Sequence, residues 1–157
     1  MAAAPISLKG RALRYLAGRE HSRAELVRKL ARHEEEPGQI ERVLDDLQAK
    51  DFISEARVVA SVINRRAASL GGARLRQELQ AKGIAPERVR DAVAELKDTE
   101  LQRAQAVWRK RFGNADSVDG EDEPPADTKQ WARQVRFLMA RGFSADVVRR
   151  VVPLAPR

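Results

Sequence analysis

A stretch of fourteen residues near the middle of the chain constrains its fold more than any other. Gly71–Ile84 reads Gly-Gly-Ala-Arg-Leu-Arg-Gln-Glu-Leu-Gln-Ala-Lys-Gly-Ile. A glycine pair precedes Leu75 and Leu79, which are four residues apart and therefore lie on one face of a helix. Gly83 stands where a helix ends in the left-handed conformation, which glycine adopts without steric penalty. The stretch predicts a short helix whose apolar face packs on a core.

The same apolar pattern occurs on either side of this stretch, and it predicts a repeat. Six positions match without a gap at a constant offset of 49 residues, namely Leu26, Leu30, Ile40, Val43, Leu44 and Leu47 against Leu75, Leu79, Val89, Ala92, Val93 and Leu96. A third copy matches at an offset of 59 residues, with Leu138, Gly142, Phe143, Val148, Val151 and Val152 against Leu79, Gly83, Ile84, Val89, Ala92 and Val93. Gln134 takes the place of Leu75, so this copy is imperfect. A period of this length is typical of stacked helical units, although two unrelated amphipathic helix pairs with similar loops also align.

The repeat predicts three three-helix units, at residues 8–50, 54–97 and 99–152. Aromatic residues make up only 4% of the chain, and the Ala, Leu, Arg, Glu and Gln that fill most positions favour helix. The predicted fold is all-α, an elongated and curved array of three degenerate, helix-turn-helix-like repeats. Residues 113–128 contain six acidic residues, Pro and Gly, and no Lys or Arg, which predicts a disordered acidic loop within the third unit.

Local signals predict where helices begin and end. Ser22 and Glu25 have the spacing of a capping box, in which each side chain satisfies the other's free backbone amide. Thr99 and Gln102 have the same spacing before the seventh helix. The fourth helix is expected over about residues 55–69.

Apolar residues outside these signals predict further packing. Phe52 and Ile53 lie in a connection, where we expect both to tuck under the helices. The apolar stripe of the eighth helix is expected to be formed by Trp131, Val135, Leu138 and Met139, with Phe137 off that stripe.

The charge is unevenly distributed. The chain carries a net charge of +7, and the acidic stretch 113–128 accounts for −6, so the rest carries +13. A body this basic favours a polyanion or an acidic protein surface as its partner. The alternative is an arginine-rich composition that forms only a solvated surface.

Clustered basic residues are the candidates for partner contact. Six surround the central stretch and three end the seventh helix; they are Arg57, Arg65, Arg66, Arg74, Arg76, Lys82, Arg109, Lys110 and Arg111. Singly, each such residue is more often an exposed helix charge that pairs with a nearby carboxylate or a helix C-terminus.

The sequence gives no sign of an enzyme. His21 and His33 have no triad, HExxH or metal-ligand spacing around them, and we expect both to be solvated surface residues. The acidic runs 34–36 and 121–123 are expected to be solvated charge rather than metal ligands. Gly71-Gly72 lacks the rest of a phosphate-binding loop. No catalytic residue, metal or cofactor is predicted.

The absence of cysteine excludes disulfides, and the N-terminus lacks the pattern of a signal peptide. No segment has the roughly 20 apolar residues of a membrane span. A cytoplasmic location without membrane contact is therefore expected.

Three sequence stretches together resemble one family. The central stretch Gly71–Ile84 is preceded by Asp-Phe-Ile-Ser at 51–54 and followed by Arg-Phe-Leu-Met-Ala-Arg-Gly-Phe at 136–143. Over about residues 9 to 152 the chain resembles the RecX family of bacterial recombination regulators. It departs from that pattern in the acidic insert 113–128, in the Glu run 34–36 and at Gln134.

The resemblance implies a monomeric protein that binds the RecA nucleoprotein filament and limits filament extension, ATP hydrolysis and strand exchange in DNA repair and the SOS response. It also implies contact with single- or double-stranded DNA. The alternative is a helix-turn-helix-like protein that acts on DNA directly, because an arginine-rich helix of a three-helix unit can enter a groove. Against sequence readout, few Asn or Gln are placed for base recognition.

Overall fold

The computed structural model describes residues 3–113 and 127–152, and all regular structure in these residues is helical. The all-α prediction is confirmed. Within the described residues there are nine α-helices, α1 Leu8–Gly18, α2 Arg23–Leu30, α3 Gln39–Ala49, α4 Glu55–Arg66, α5 Gly72–Ala81, α6 Pro86–Glu95, α7 Glu100–Phe112, α8 Thr128–Ala140 and α9 Ala145–Val151.

The first unit consists of α1, α2 and α3 around one apolar core. The capping box is confirmed, because Ser22 Oγ accepts from the Glu25 amide at 3.1 Å and Glu25 Oε2 accepts from the Ser22 amide at 2.8 Å. The expectation for the connection after α3 is half wrong, since Ile53 is buried and Phe52 is 47% exposed. Asp51 has a φ of 63°, and this left-handed turn directs only one of the two apolar side chains inward.

The second unit consists of α4, α5 and α6, and Leu75 and Leu79 are fully buried in its core. Gly83 has a φ of 72°, as predicted for the residue that ends α5. The fourth helix is shorter than expected and ends at Arg66, because Ser69 Oγ donates to the Arg66 carbonyl at 3.2 Å and the chain turns there.

The third unit consists of α7, α8 and α9, and its core explains the imperfect copy. Gln134 is buried, and its Oε1 accepts from the indole Nε1 of Trp108 at 2.9 Å. A buried indole N–H needs an acceptor, which Leu cannot supply. Gly142 has a φ of 86°, matching Gly83 at the equivalent position.

Two expectations for the third unit are wrong. Thr99 forms no capping box, because a 3-10 turn leads into α7 and leaves Thr99 in helical conformation, where its hydroxyl donates to the Leu96 carbonyl at 3.1 Å. Met139 is 46% exposed and lies outside the core. Of the predicted acidic loop, residues 114–126 lie outside the described residues, and Asp127 Oδ1 caps α8 by accepting from the Gln130 amide at 2.7 Å.

Charged side chains connect the first unit to the second, in a contact that we name the first joint. Lys82 Nζ lies 2.8 Å from Glu25 Oε1, and Arg57 Nε lies 2.9 Å from Glu20 Oε1. The backbones also approach closely, because a Cβ added at Gly83 would lie 2.7 Å from the Cβ of Ala24.

Backbone groups connect the second unit to the third, in the second joint. The amide of Gly71 donates to the Arg141 carbonyl at 2.8 Å, and the amide of Ala73 donates to the Gly142 carbonyl at 3.2 Å. A Cβ added at Gly71 would lie 2.3 Å from backbone atoms of Gly142 and Phe143. The start of α5 therefore rests directly on the chain reversal between α8 and α9.

Candidate interaction surface

Arg57, Arg66 and Lys82 form ion pairs with carboxylates of the described residues. Arg57, on the first turn of α4, contacts Glu20 and also lies 3.1 Å from Asp51 Oδ2. The hydrogen bond to Glu20 raises the pKa of Arg57. Arg66, at the end of α4, lies 2.9 Å from Glu78 Oε1 on α5. These two guanidinium groups fix helices in place and are only partly available to a partner.

Lys82 is the most enclosed of the candidates. Its carboxylate partner, Glu25, is buried, and Glu25 Oε1 also lies 2.9 Å from a guanidinium nitrogen of Arg19. Burial by itself raises the pKa of Glu25, but hydrogen bonds from Arg19, Lys82 and the Ser22 amide outweigh that effect and hold the pKa at about 2. Glu25 is therefore ionised at neutral pH, and Lys82 serves the first joint.

Among the nine candidates, the cations of the central unit without a carboxylate partner in the described residues are on α4 and α5. Arg74 and Arg76 are exposed, and neither has a carboxylate partner among residues 3–113 and 127–152. Arg65 is exposed and donates only to the carbonyl of Ser61, one turn earlier in its own helix. Among the candidates around the central stretch, these three present charge outward.

The last turn of α7 carries three consecutive exposed cations, Arg109, Lys110 and Arg111. Cations are favoured there because the partial charge at a helix C-terminus is negative. The Arg111 guanidinium lies 5.4 Å from the ring centre of Phe112, which in turn packs edge-on against Phe137 of α8. This group lies on the third unit and is separate from the cations of α5.

Sequence reasoning missed several residues at the second joint. Arg90 of α6 and Lys97 of the 3-10 turn that follows it expose their charges beside Arg76. Arg103 of α7 donates to the carbonyls of Ala67 at 2.8 Å and Leu96 at 3.2 Å, and no local sequence signal predicts that contact.

Neither histidine belongs to a site. The prediction for His21 is wrong, because its side chain is 2% exposed. Its Nδ1 donates to the Arg19 carbonyl at 3.1 Å, and its Nε2 accepts from Lys29 Nζ at 3.0 Å. Burial lowers the pKa of His21, which favours the neutral ring that these two hydrogen bonds require. Within the described residues, no group of three or more His, Cys, Asp or Glu side chains could hold a metal ion. None of the helices in these residues has the length and apolar composition of a membrane span.

Together these features define a helical-repeat protein of three-helix units that presents basic side chains on its outer surface. The three units match three family descriptions in chain order: RecX first three-helix domain at residues 9–47, second at 54–93 and third at 98–152. The chain belongs to the RecX family of regulatory proteins.

Individual relatives agree over nearly the whole chain. It is 59% identical over 150 residues to Regulatory protein RecX of Leptothrix cholodnii, covering 96% of this chain and 90% of the relative. It is 47% identical over 148 residues to Regulatory protein RecX of Ralstonia nicotianae, covering 94% and 87%. Its fold is similar to the crystal structure of RecX from Lactobacillus salivarius, with a TM-score of 0.71, 20% identity and coverage of 92% and 91%.

Proposed function

We propose that this chain binds the RecA filament on DNA and limits filament extension, ATP hydrolysis and strand exchange in recombination, DNA repair and the SOS response. The regulatory names of its relatives support a regulatory role. The observation that carries the proposal is the outward position of Arg74 and Arg76 on α5, without carboxylate partners in the described residues. Because its proposed partner is a DNA-bound filament, we place its action in the bacterial cytoplasm, and the monomeric state is part of the same proposal.

The candidate cations have two different roles in this proposal. Arg57, Arg66 and Lys82 hold neighbouring helices and units in a fixed arrangement through their ion pairs. Arg74 and Arg76, with Arg65 and the cations that end α7, supply the charge that meets phosphates or acidic side chains. Three units, each in contact with the next one along the chain, suit a partner that is itself built from repeating subunits.

The test is inhibition of RecA on single-stranded DNA, followed by ATPase rate and light scattering at substoichiometric protein. Changing Arg74 and Arg76 to Ala should weaken inhibition about tenfold, because two outward charges are lost and no internal ion pair is broken. A matched control changes the exposed Arg133 and Arg136 of α8 to Ala and should leave inhibition intact. Equal inhibition by both variants would contradict the assignment.

The alternative is direct action on DNA by a helix-turn-helix-like unit. The third helix of each unit does carry outward arginines, with Arg42 on α3, Arg90 on α6, and Arg149 and Arg150 on α9. A salt titration of binding to naked duplex and single strands separates the two functions. Tight, sequence-selective duplex binding without any effect on RecA would favour the alternative.

A further inference from the structure

An open groove of about 590 Å³ lies between the second and third units, beside the second joint. One wall is the start of α5 with Arg76, and another is formed by Arg90 of α6 and by Lys97 of the 3-10 turn that follows α6. Met139, at the end of α8, and Phe143 form the opposite side. The volume falls in the range of ligand pockets, and two rigid units build the walls.

The lining of this groove carries more positive than negative charge, with Arg76, Arg90, Lys97 and Arg103 against Glu100. Arg76, Arg90 and Lys97 are exposed, and none has a carboxylate partner in the described part of the chain. Glu100 is the acidic residue of the lining, and its Oε1 already accepts from the Ser144 amide at 3.1 Å. The guanidinium of Arg103, also in the lining, already donates to the carbonyls of Ala67 and Leu96. An anionic occupant would therefore meet three free cations.

The groove also offers apolar surface that the core does not use. Met139 is 46% exposed, whereas its neighbour Leu138 is fully buried. Val93 and Leu96 are half-buried along the groove floor. A methionine side chain is flexible and polarizable, so it adapts its shape to an incoming apolar group.

We propose that this groove binds an acidic peptide segment of the protein partner, with an apolar side chain placed against Met139 and carboxylates placed against Arg76, Arg90 and Lys97. The charge complementarity and the apolar floor together select this occupant. A single nucleic-acid strand fits less well, because such strands stack bases on exposed aromatic rings, and the aromatic residue of the lining, Phe143, is 2% exposed.

This inference deepens the proposed function, because it assigns the chemistry of the partner segment that the regulator recognises. It uses Arg90, Lys97 and Met139, which the test of the proposed function leaves unchanged. The two ideas can therefore fail separately.

The experiment measures fluorescence anisotropy of the full chain with the labelled peptide Asp-Glu-Leu-Glu-Asp-Leu-Glu. Changing Arg90 and Lys97 to Glu should weaken binding at least about tenfold, because two attractions become repulsions. Changing Met139 to Ala should weaken it about threefold, since apolar contact is lost. The matched controls are Arg133→Glu with Arg136→Glu for charge and Phe52→Ala for exposed apolar surface, and both should bind as the parent does.

Three outcomes would overturn the groove assignment. One is a peptide that does not bind the parent chain, and another is equal loss in the groove variants and in their controls. The third is a labelled oligothymidylate that competes with the peptide and loses the same affinity in the groove variants. If any of these occurs while inhibition of RecA remains intact, the groove assignment fails and the proposed function stands. If the parent chain does not inhibit RecA, the proposed function is wrong instead.

Discussion

At the first joint, ion pairs between side chains connect the two units. At the second joint, backbone groups of the two units are in direct contact. Lys82 reaches a buried Glu25 across the first joint, and Gly71 lies against Gly142 across the second. Ion pairs depend on ionisation and solvent, while close backbone contact depends on shape. Both joints contain a close contact at a glycine, but the first joint adds ion pairs, which respond to pH, whereas the second adds backbone hydrogen bonds, which do not.

The largest effect is expected from a methyl group at the second joint. Changing Gly71 to Ala would place a Cβ 2.3 Å from backbone atoms of Gly142 and Phe143, and backbone cannot move aside as a flexible side chain does. We expect the free energy of unfolding to fall by about 3 kcal/mol, the upper part of the range for overpacked sites. Urea denaturation followed by circular dichroism measures it.

Gly18 provides the matched control for this substitution. A Cβ added there meets nothing within 4 Å, so Gly18→Ala at the end of α1 should leave stability unchanged or raise it slightly. Equal losses in the two variants would show that tight backbone contact does not hold the second joint.

Neutralising the buried carboxylate should be the next largest effect. Changing Glu25 to Gln removes the charge that Arg19 and Lys82 share, and we expect a loss of about 2 kcal/mol from the charged hydrogen bonds. Both tryptophans are in the third unit, away from the first joint. The denaturation midpoint measured by circular dichroism should therefore fall further than the midpoint measured by tryptophan fluorescence.

The control for this variant is an ion pair on the surface of the first unit. Glu41 pairs with Arg23 and its side chain is 64% exposed, so Glu41→Gln should cost much less. A Glu25→Gln variant as stable as this control would mean that the first joint does not depend on its ion pairs.

The sequence predicted those features that neighbouring residues determine. The box of Ser22 and Glu25, the left-handed Gly83 and the burial of Leu75 and Leu79 all follow from spacing within a few residues. The repeat also placed Gly142 correctly, because its backbone role is the same as that of Gly83.

Features that depend on another unit could not be predicted in this way. Gly71 looked like the start of a helix, yet its lack of a side chain serves contact with a residue 71 positions later in the chain. The repeat pattern marked Gln134 as a mismatch, and its role follows only from the hydrogen bond that its side chain accepts from Trp108. His21 is buried by residues of two helices, and its own neighbours in the sequence give no sign of that.

Clustering of cations in the sequence does not separate the cations that pair within the fold from those that stay outward. Clustering of cations in the sequence selected Arg57, Arg66 and Lys82, whose carboxylate partners lie 37, 12 and 57 residues away along the chain. It also selected Arg74 and Arg76, which stay outward. Net charge near a residue does not reveal which charges the fold itself neutralises, and only the folded arrangement separates the two groups.

The smallest expected effect is a pH dependence confined to the first joint. The pKa of Glu25 lies at about 2 in the folded chain against an ordinary value of 4.5, so the stabilisation is complete above pH 4.5 and is lost as the pH falls toward 2. Below that range the protonated carboxyl resembles the amide of the Glu25→Gln variant. The stability gap between parent and variant should therefore shrink steadily from pH 4.5 to pH 2.

Denaturation curves at a series of pH values measure that gap, with Gly71→Ala as the internal reference. A steric clash has no titrating group, so the gap between the parent and Gly71→Ala should stay constant while the Glu25→Gln gap closes. If both gaps narrow together, acid weakens the whole fold and the two joints do not differ in the way their contacts indicate. If the Glu25→Gln gap stays open down to pH 2, the ionised Glu25 carboxylate is not what stabilises the first joint.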